Sequence, residues 1–285
     1  MADNKLEAAF FDQHDNQLTR SVAWSAIPFF QSRLHQRLDL VATATAHLER
    51  TEDLRALTLG CGDMTGEYGL LRRFPVTQIV AYDLSEGQRA NFYERTYDES
   101  AGIDVDYRIG DAAADTLGSE EFDLVYIQQS FHHFEEVEKV AANIRMALRP
   151  GGVFLLNDYI GTPFLQRSER QRAATRRIWR HLPARLRTGA NGEVWDDILI
   201  PPIENLPPHE AVRSDAILPA LRENFDIIDE HQFAGLLFPL FNGFAQNYTE
   251  ADMTFVRSMW EVDEWMIAEG AIEPNFIRGL YRAKA

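Results

Sequence analysis

Between residues 54 and 157 the chain alternates short apolar runs with stretches whose apolar positions recur every three or four residues. The runs at 55–59, 78–83 (QIVAYD), 105–109, 122–127 (FDLVYI) and 153–157 are too short for helices and rich in β-branched and aromatic residues, so they read as strands. The stretches at 65–73, 87–97 and 137–148 read as helices, the last closed by Pro150-Gly151-Gly152. Strand–helix alternation at this spacing predicts a mostly parallel sheet with helices on both faces. Its crossovers are right-handed, and ligands bind beyond the carboxyl ends of the strands where strand order reverses. Residues that directly follow each strand are therefore the candidates for chemistry.

The rhythm resumes late in the chain. Residues 225–229 (FDIID) read as a sixth strand, 251–268 as a helix and 276–282 (FIRGLYR) as a seventh strand. Two regions stand outside it. Residues from about 6 to 50 look helical, with apolar positions recurring at three and four residues, as in Leu34, Leu38, Val41 and Leu48, and with Pro28 as punctuation. The stretch from Ile160 to about Leu221 holds an arginine-rich helical part and a proline-rich loop (ILIPPIENLPPHE), and is too long for a bare connection. The expected organisation is an N-terminal helical lid (1–50), a core (51–160 with 222–285), and an α-helical substrate cap (161–221) inserted between strands five and six.

Composition narrows the function. The 285 residues carry a formal net charge of −16, which disfavours a nucleic-acid partner. One cysteine, Cys61, excludes an intrachain disulfide and a cysteine-rich zinc framework. The first residues, MADNKLEAAFFDQHD, are acidic where a secretory leader is basic, and the apolar run 233–241 is too short to span a bilayer. A cytoplasmic protein without membrane contact is expected; nothing in the sequence fixes its oligomeric state.

The first strand runs into glycines, LTLGCGDMTG at 57–66. Gly60 and Gly62 tolerate a sharp turn and let a ligand lie against main-chain N–H groups. Their spacing is G-x-G-x-x-x-G rather than the dinucleotide fingerprint G-x-G-x-x-G. Asp83 ends the second strand, 21 residues after Gly62, where a carboxylate can accept hydrogen bonds from both hydroxyls of a ribose. A nicotinamide and an adenosyl cofactor are both compatible with this pair of features.

Gly110-Asp111-Ala112 after strand three, FDLVYIQQSFHHF (122–134) as strand four and its loop, and LRPGG (148–152) before strand five complete an ordered set. Together they resemble the class I S-adenosylmethionine-dependent methyltransferases. NDYIG (157–161), EAVRS (210–214) and FAGLLF (233–238) are similar, more weakly, to bacterial members of that superfamily in glycan and natural-product pathways. The resemblance implies a Rossmann-like fold, S-adenosyl-L-methionine as cofactor and S-adenosyl-L-homocysteine as product, with no metal. It implies that Gly60, Cys61 and Gly62 line the methionine and ribose, and that Asp83 binds the ribose hydroxyls with Leu84 beside the adenine. By the same resemblance Asp111 and Ala112 reach the adenine edge, and Gln128 and Gln129 border the sulfonium. Asp63 departs from the usual pattern and either faces the cofactor's ammonium or caps the next helix.

An activated sulfonium methyl needs a nucleophile held in line and, for a hydroxyl, a base. His132 and His133, just past strand four, are the imidazole candidates, and Asp158 after strand five is the carboxylate candidate. Tyr159 follows it as a substrate contact. His14-Asp15 is a candidate lid pair. Eight arginines between 167 and 187 form a basic patch in an acidic chain, suited to an anionic acceptor; Arg176 and Arg213 are its expected substrate-binding members. QQSF (128–131) stands where adenine and glutamine N-methyltransferases carry an N/D-P-P-Y/F motif, which argues against those acceptors. The expected activity is methyl transfer to a small-molecule acceptor, on a hydroxyl of a metabolite or sugar. The alternatives are an RNA or protein methyltransferase, or a protein that binds the cofactor for another purpose.

Overall fold

The computed structural model describes residues 2–13 and 23–284. Seven strands form one sheet: β1 (Leu54–Leu59), β2 (Val76–Asp83), β3 (Asp104–Ile109), β4 (Phe122–Gln128), β5 (Leu148–Tyr159), β6 (Phe225–Phe233) and β7 (Phe276–Ala283). Their spatial order is β3-β2-β1-β4-β5-β7-β6. The first five pair parallel, and β7 runs antiparallel between β5 and β6. This is the Rossmann-like sheet expected from the alternation. Strand order reverses between β1 and β4, so the carboxyl ends of those two strands open the crevice. β4 (FDLVYIQ) is buried along six of its seven residues, as a central parallel strand covered on both faces must be.

Ten α-helices are described: α1 (Ala2–Gln13), α2 (Pro28–Arg37), α3 (Leu40–His47), α4 (Thr65–Leu71), α5 (Glu86–Asn91), α6 (Val137–Ala147), α7 (Glu169–Trp179), α8 (Ile217–Asn224), α9 (Leu237–Phe241) and α10 (Met253–Ala268). On α6, Val137, Val140, Ala141, Ile144 and Ala147 are buried, the stripe that a period of 3.6 produces. With α8 they cover one face of the sheet, while residues of α3 and α4 pack on the other. A third, aromatic cluster joins Trp24, Phe30, Trp179, Phe233, Phe241 and Trp260 beyond the β5–β7 side.

Two boundaries differ from the sequence expectation. The N-terminal stretch is not one helical run: Pro28 starts α2, and Asp39 caps α3 by accepting from the N–H groups of Val41 and Ala42. β5 begins at Leu148, because the LRPGG turn joins the ladder through a register shift opposite Phe122–Leu124. It also runs on through Asp158 and Tyr159, which pair with Ile277 and Phe276. Asp158 is thus held in a buried strand end rather than in the loop after it.

Between β5 and α8, residues 160–216 carry one α-helix, α7, fixed at its start by a capping box of Ser168 and Gln171. The rest is 3-10 turns, loops and one isolated bridge, Thr188–Val194. Among the described residues no helix is long and apolar enough to cross a membrane.

Candidate active site

A cleft of about 880 Å³ opens at the carboxyl ends of β1, β2, β3 and β4. Gly60 has φ +60°, and a Cβ there would stand 2.9 Å from Ser130 Cβ, so any side chain collides with the loop after β4. Gly66 serves a different neighbour: a Cβ would land 2.1 Å from the Gln128 amide, so this glycine makes room for a side chain of the protein rather than for a ligand. Asp83 accepts from Gly62 N–H (2.8 Å) and Ser85 N–H (2.9 Å), which ties the glycine turn to the end of β2. Burial raises its carboxyl above the usual range, and those N–H groups oppose the rise. Tyr107 donates its hydroxyl to Gly62 O at 2.6 Å and braces the turn from β3.

Cys61 is buried at the cleft wall with its thiol donating to Tyr82 O, and burial holds it well above the ordinary thiol range, which makes it inert. Leu84, Asp111, Ala112, Gln128 and Gln129 also line the cleft. Asp111 accepts from Ala113 N–H and Asp63 from Thr65 N–H; Asp63 thus closes the turn before α4, whose N-cap is Met64, while lining the cleft. α1 lies across the outer rim. Asp12 accepts from Ser85 Oγ (2.5 Å) and Gly87 N–H (2.8 Å), Gln88 donates to Phe11 O (2.7 Å), and Glu7, Ala8 and Phe11 line the cleft.

A second, smaller chamber of about 160 Å³ adjoins it, lined by Trp24, His132, Tyr159, Leu165, Glu210, Phe238 and Phe276 among others. It shares Ala23, Ser25, Gln129 and Asn242 with the large cleft. Gln129 stands at the junction with φ +55° and donates both its main-chain N–H and its side-chain amide to Asn157 O. A non-glycine residue held in this region is strained, and such strain concentrates at functional sites.

The wall between the two volumes is ionisable. Asp158, fully buried, accepts from the N–H groups of Ser130 (2.9 Å), Phe131 (2.8 Å) and Tyr159 (2.7 Å), and from His132 Nδ1 at 2.5 Å. His132 Nε2 faces Glu210 Oε1 at 3.5 Å, and His133 Nε2 faces Glu210 Oε2 at 3.8 Å. The two imidazoles lie 4.4 Å apart. Behind His133, Nδ1 is 3.7 Å from Glu7 Oε1, and Glu7 Oε2 is 3.4 Å from His209 Nδ1. Burial alone would strip the charge from His132, but Asp158 and Glu210 outweigh it and push the imidazole up to about 10. Burial and the charge of His132 push His133 down to about 4. Burial works to raise Glu210 too, yet the two histidines bring it to about 2. Burial, Asp83, Glu135 and Asp111 raise Glu7 to about 8.

The sequence-derived candidates separate cleanly in space. Gly60, Cys61, Gly62, Asp83, Leu84, Asp111, Ala112, Gln128 and Gln129 come together in the large cleft, and His132, Asp158 and Tyr159 meet at the chamber, with His133 between. The arginine patch does not reach either volume. Arg176 forms a bidentate pair with Asp197 (2.8 and 2.7 Å), and Arg213 pairs with Glu138 (2.6 Å) on the exposed surface. Arg185 pairs with Asp252, and Arg167 is buried over the Phe238 ring at 4.4 Å. His14 and Asp15 lie outside the described residues. Glu7, His209 and Glu210 were not singled out as site residues from the sequence. The EAVRS run did mark the neighbourhood of Glu210, whose flanking His209 and Ala211 both have positive φ.

Residues 57–156 match a protein family described as a methyltransferase domain. Over those residues the chain resembles S-adenosylmethionine-dependent methyltransferases, and the strand order is that of their fold. A malonyl-[acyl-carrier protein] O-methyltransferase of Haemophilus ducreyi is 28% identical over 125 residues, 44% of this chain and 46% of that protein. Phosphoethanolamine N-methyltransferase 2 of Haemonchus contortus, solved in complex with S-adenosyl-L-methionine, superposes with a TM-score of 0.52 at 16% identity, over 98% of this chain and 60% of that one. The [4+2]-cyclase SpnF superposes with a TM-score of 0.50 at 16% identity, over 86% of this chain and 79% of that one. At these identities the two structures share the fold. The chain spans less than half the length of the curated relatives it matches. S-adenosylmethionine is the cofactor of such methyltransferases, and the cleft offers a group of that kind a glycine main chain, a carboxylate after β2 and small residues after β3.

Proposed function

We propose that this chain transfers a methyl group from S-adenosylmethionine to a hydroxyl of a small-molecule acceptor. The observation that carries the reading is the pair of joined volumes, one walled by main chain and Asp83, the other by aromatic rings and an ionisable cluster, meeting at Gln129. Gly60, Cys61 and Gly62 would hold the methionine and ribose part, Asp83 the ribose hydroxyls, Leu84, Asp111 and Ala112 the adenine, and Gln128 and Gln129 the sulfonium side. The bound cofactor supplies an electrophilic methyl group.

Everything else falls to the protein. The chamber admits only the reacting head of an acceptor, since 160 Å³ holds about five water molecules' share of liquid volume. Tyr159, Trp24, Phe238 and Phe276 orient that head and keep water out. His132, His133 and Glu210 handle the proton of the hydroxyl; Asp158, with every hydrogen bond it receives coming from inside the fold, orients His132. α1 acts as the lid of the N-terminal segment (1–50), and residues 161–221 close the chamber as the cap, through Leu165 and Glu210. One relative is named for O-methyl transfer, which agrees with an oxygen acceptor; others are named for transfer to nitrogen or to a sterol carbon. One observation favours nitrogen instead: four aromatic rings and a carboxylate line the chamber, a setting that also suits an amine.

Incubation with methyl-labelled cofactor and separated small metabolites, RNA and protein tests the reading. Label in an O-methylated small molecule is expected. Label only in macromolecules, or cofactor binding without transfer to any fraction, contradicts it.

A further inference from the structure

We infer that His132, His133 and Glu210 form a binding site for one divalent transition-metal ion on the wall between the cofactor cleft and the acceptor chamber. The donor atoms of the three side chains lie within 4.8 Å of one another. Glu210 stands 3.5 Å from one imidazole Nε2 and 3.8 Å from the other. Metal–ligand bonds of about 2.1 Å at tetrahedral angles put neighbouring donors roughly 3.4 Å apart, so each imidazole already stands near that distance from one Glu210 oxygen, and a small contraction of the 4.8 Å cluster completes the site.

The surroundings carry the inference further than the distances. A metal-bound imidazole characteristically donates its other ring N–H to a carboxylate, which fixes the ring and raises its basicity. His132 has that arrangement, with Asp158 behind Nδ1 at 2.5 Å; behind His133 the Glu7 carboxylate stands 3.7 Å from Nδ1, an ion-pair distance that a small movement would close to a hydrogen bond. Both Nε2 atoms therefore point to the same side, toward Glu210. Among the described residues His133 Nδ1 has no hydrogen-bond partner although the atom is buried. The main chain of the loop presenting Glu210 has positive φ on both sides of it, at His209 and Ala211, and so aims the carboxylate inward.

Two imidazoles and one carboxylate select zinc, iron(II) or cobalt(II) over magnesium or calcium, which prefer oxygen alone. Three protein ligands leave a coordination position open, and the open side borders both volumes, because His133 lines the large cleft while His132 and Glu210 line the chamber. The site deepens the methyl-transfer reading and rests on it for its use: the ion binds the acceptor oxygen as a Lewis acid and lowers the pKa of that hydroxyl. With the ion bound, its three ligands act on the proton only through the ion: the proton leaves to water in the cleft, the oxygen electron pair forms the bond to the methyl carbon, and the carbon–sulfur bond breaks with its pair returning to sulfur. The acceptors that profit most carry a second oxygen next to the reacting hydroxyl and can chelate.

Metal binding can be read without any acceptor, so its failure and the failure of methyl transfer are distinguishable. The full chain, stripped by a chelator, is titrated with Co²⁺ and followed by visible absorption, with Zn²⁺ as competitor. One equivalent of Co²⁺ with the intense bands of a four- or five-coordinate ion, displaced by Zn²⁺, is expected. Glu210→Gln and His133→Asn should each weaken binding at least tenfold. Glu7→Gln, on the docked helix and outside the core, should weaken it about tenfold with an unchanged melting temperature. Absence of the bands at millimolar Co²⁺ overturns the inference. Bands that persist at the unaltered affinity in folded Glu210→Gln and His133→Asn also overturn it, since the ion then sits elsewhere.

Discussion

Along the cofactor side of the cleft, Gly60–Gly66, Asp83–Ser85 and Gly110–Ala113 each follow directly on a strand, and much of what they offer is main chain. The acceptor side is assembled differently. His132 comes from the loop after β4, Asp158 from the end of β5, Glu210 from the segment between β5 and α8, and Glu7 from α1. The first surface is built by turns that the sheet itself places, so it recurs wherever the sheet recurs. The second depends on side chains far apart in sequence and on segments the sheet does not dictate. The first wall is therefore tied to the sheet and the second to its insertions, so the two can change independently.

Variants on either side should therefore fail in different ways. Gly60→Val is the most severe: a β-branched residue at φ +60° whose Cβ meets Ser130 at 2.9 Å should abolish measurable cofactor binding, as read by calorimetry, while the far-ultraviolet dichroism of the fold persists. Next, His133→Asn should slow methyl transfer about 100-fold, the scale of a lost proton-handling group, and leave the cofactor dissociation constant within about threefold. If that constant rose as far as the rate fell, the two walls would not be separable.

A smaller effect concerns stability beyond the acceptor side. His231, stacked on Phe233 in the aromatic cluster, is held down to about 4 by burial, with Arg37 and Arg278 adding to it. The unfolded chain therefore takes up a proton between pH 6.5 and 4 that the folded protein refuses, and stability is lost as pH falls through that window. The contribution is about 3 kcal/mol once the pH has fallen below 4. Denaturant unfolding of His231→Phe should show a flatter acid limb than the parent chain; parallel limbs would remove His231 from the account. Smallest of all, Arg176→Ala should change the Michaelis constant of the acceptor less than twofold, because Asp197 already engages the guanidinium away from both volumes. A large rise would return the arginine patch to the acceptor side.

What could be read from the sequence follows the same division. The β1 glycines, Asp83 and Gly110–Ala112 were legible because each sits at a fixed offset from a strand, and strands show themselves by composition and length. His132, His133 and Asp158 were legible as candidates, but not the hydrogen bond that joins two of them, since a strand of twelve residues was read as five and Asp158 was placed in a loop. Glu7 and Glu210 left no periodic signal; only the fold brings residues 7, 133 and 210 together. The arginine run misled because sequence shows charge density and hides its partners: Asp197 for Arg176, Asp252 for Arg185 and Glu138 for Arg213.

The account stands on the glycine turn and Asp83 forming the cofactor wall. Calorimetric titration of S-adenosyl-L-homocysteine into the protein and into Asp83→Ala tests this most directly. One site of micromolar affinity, weakened about 30-fold in the variant by loss of a charged hydrogen-bond acceptor, is the predicted result. No heat of binding to the parent protein, or equal affinity in both, would contradict it.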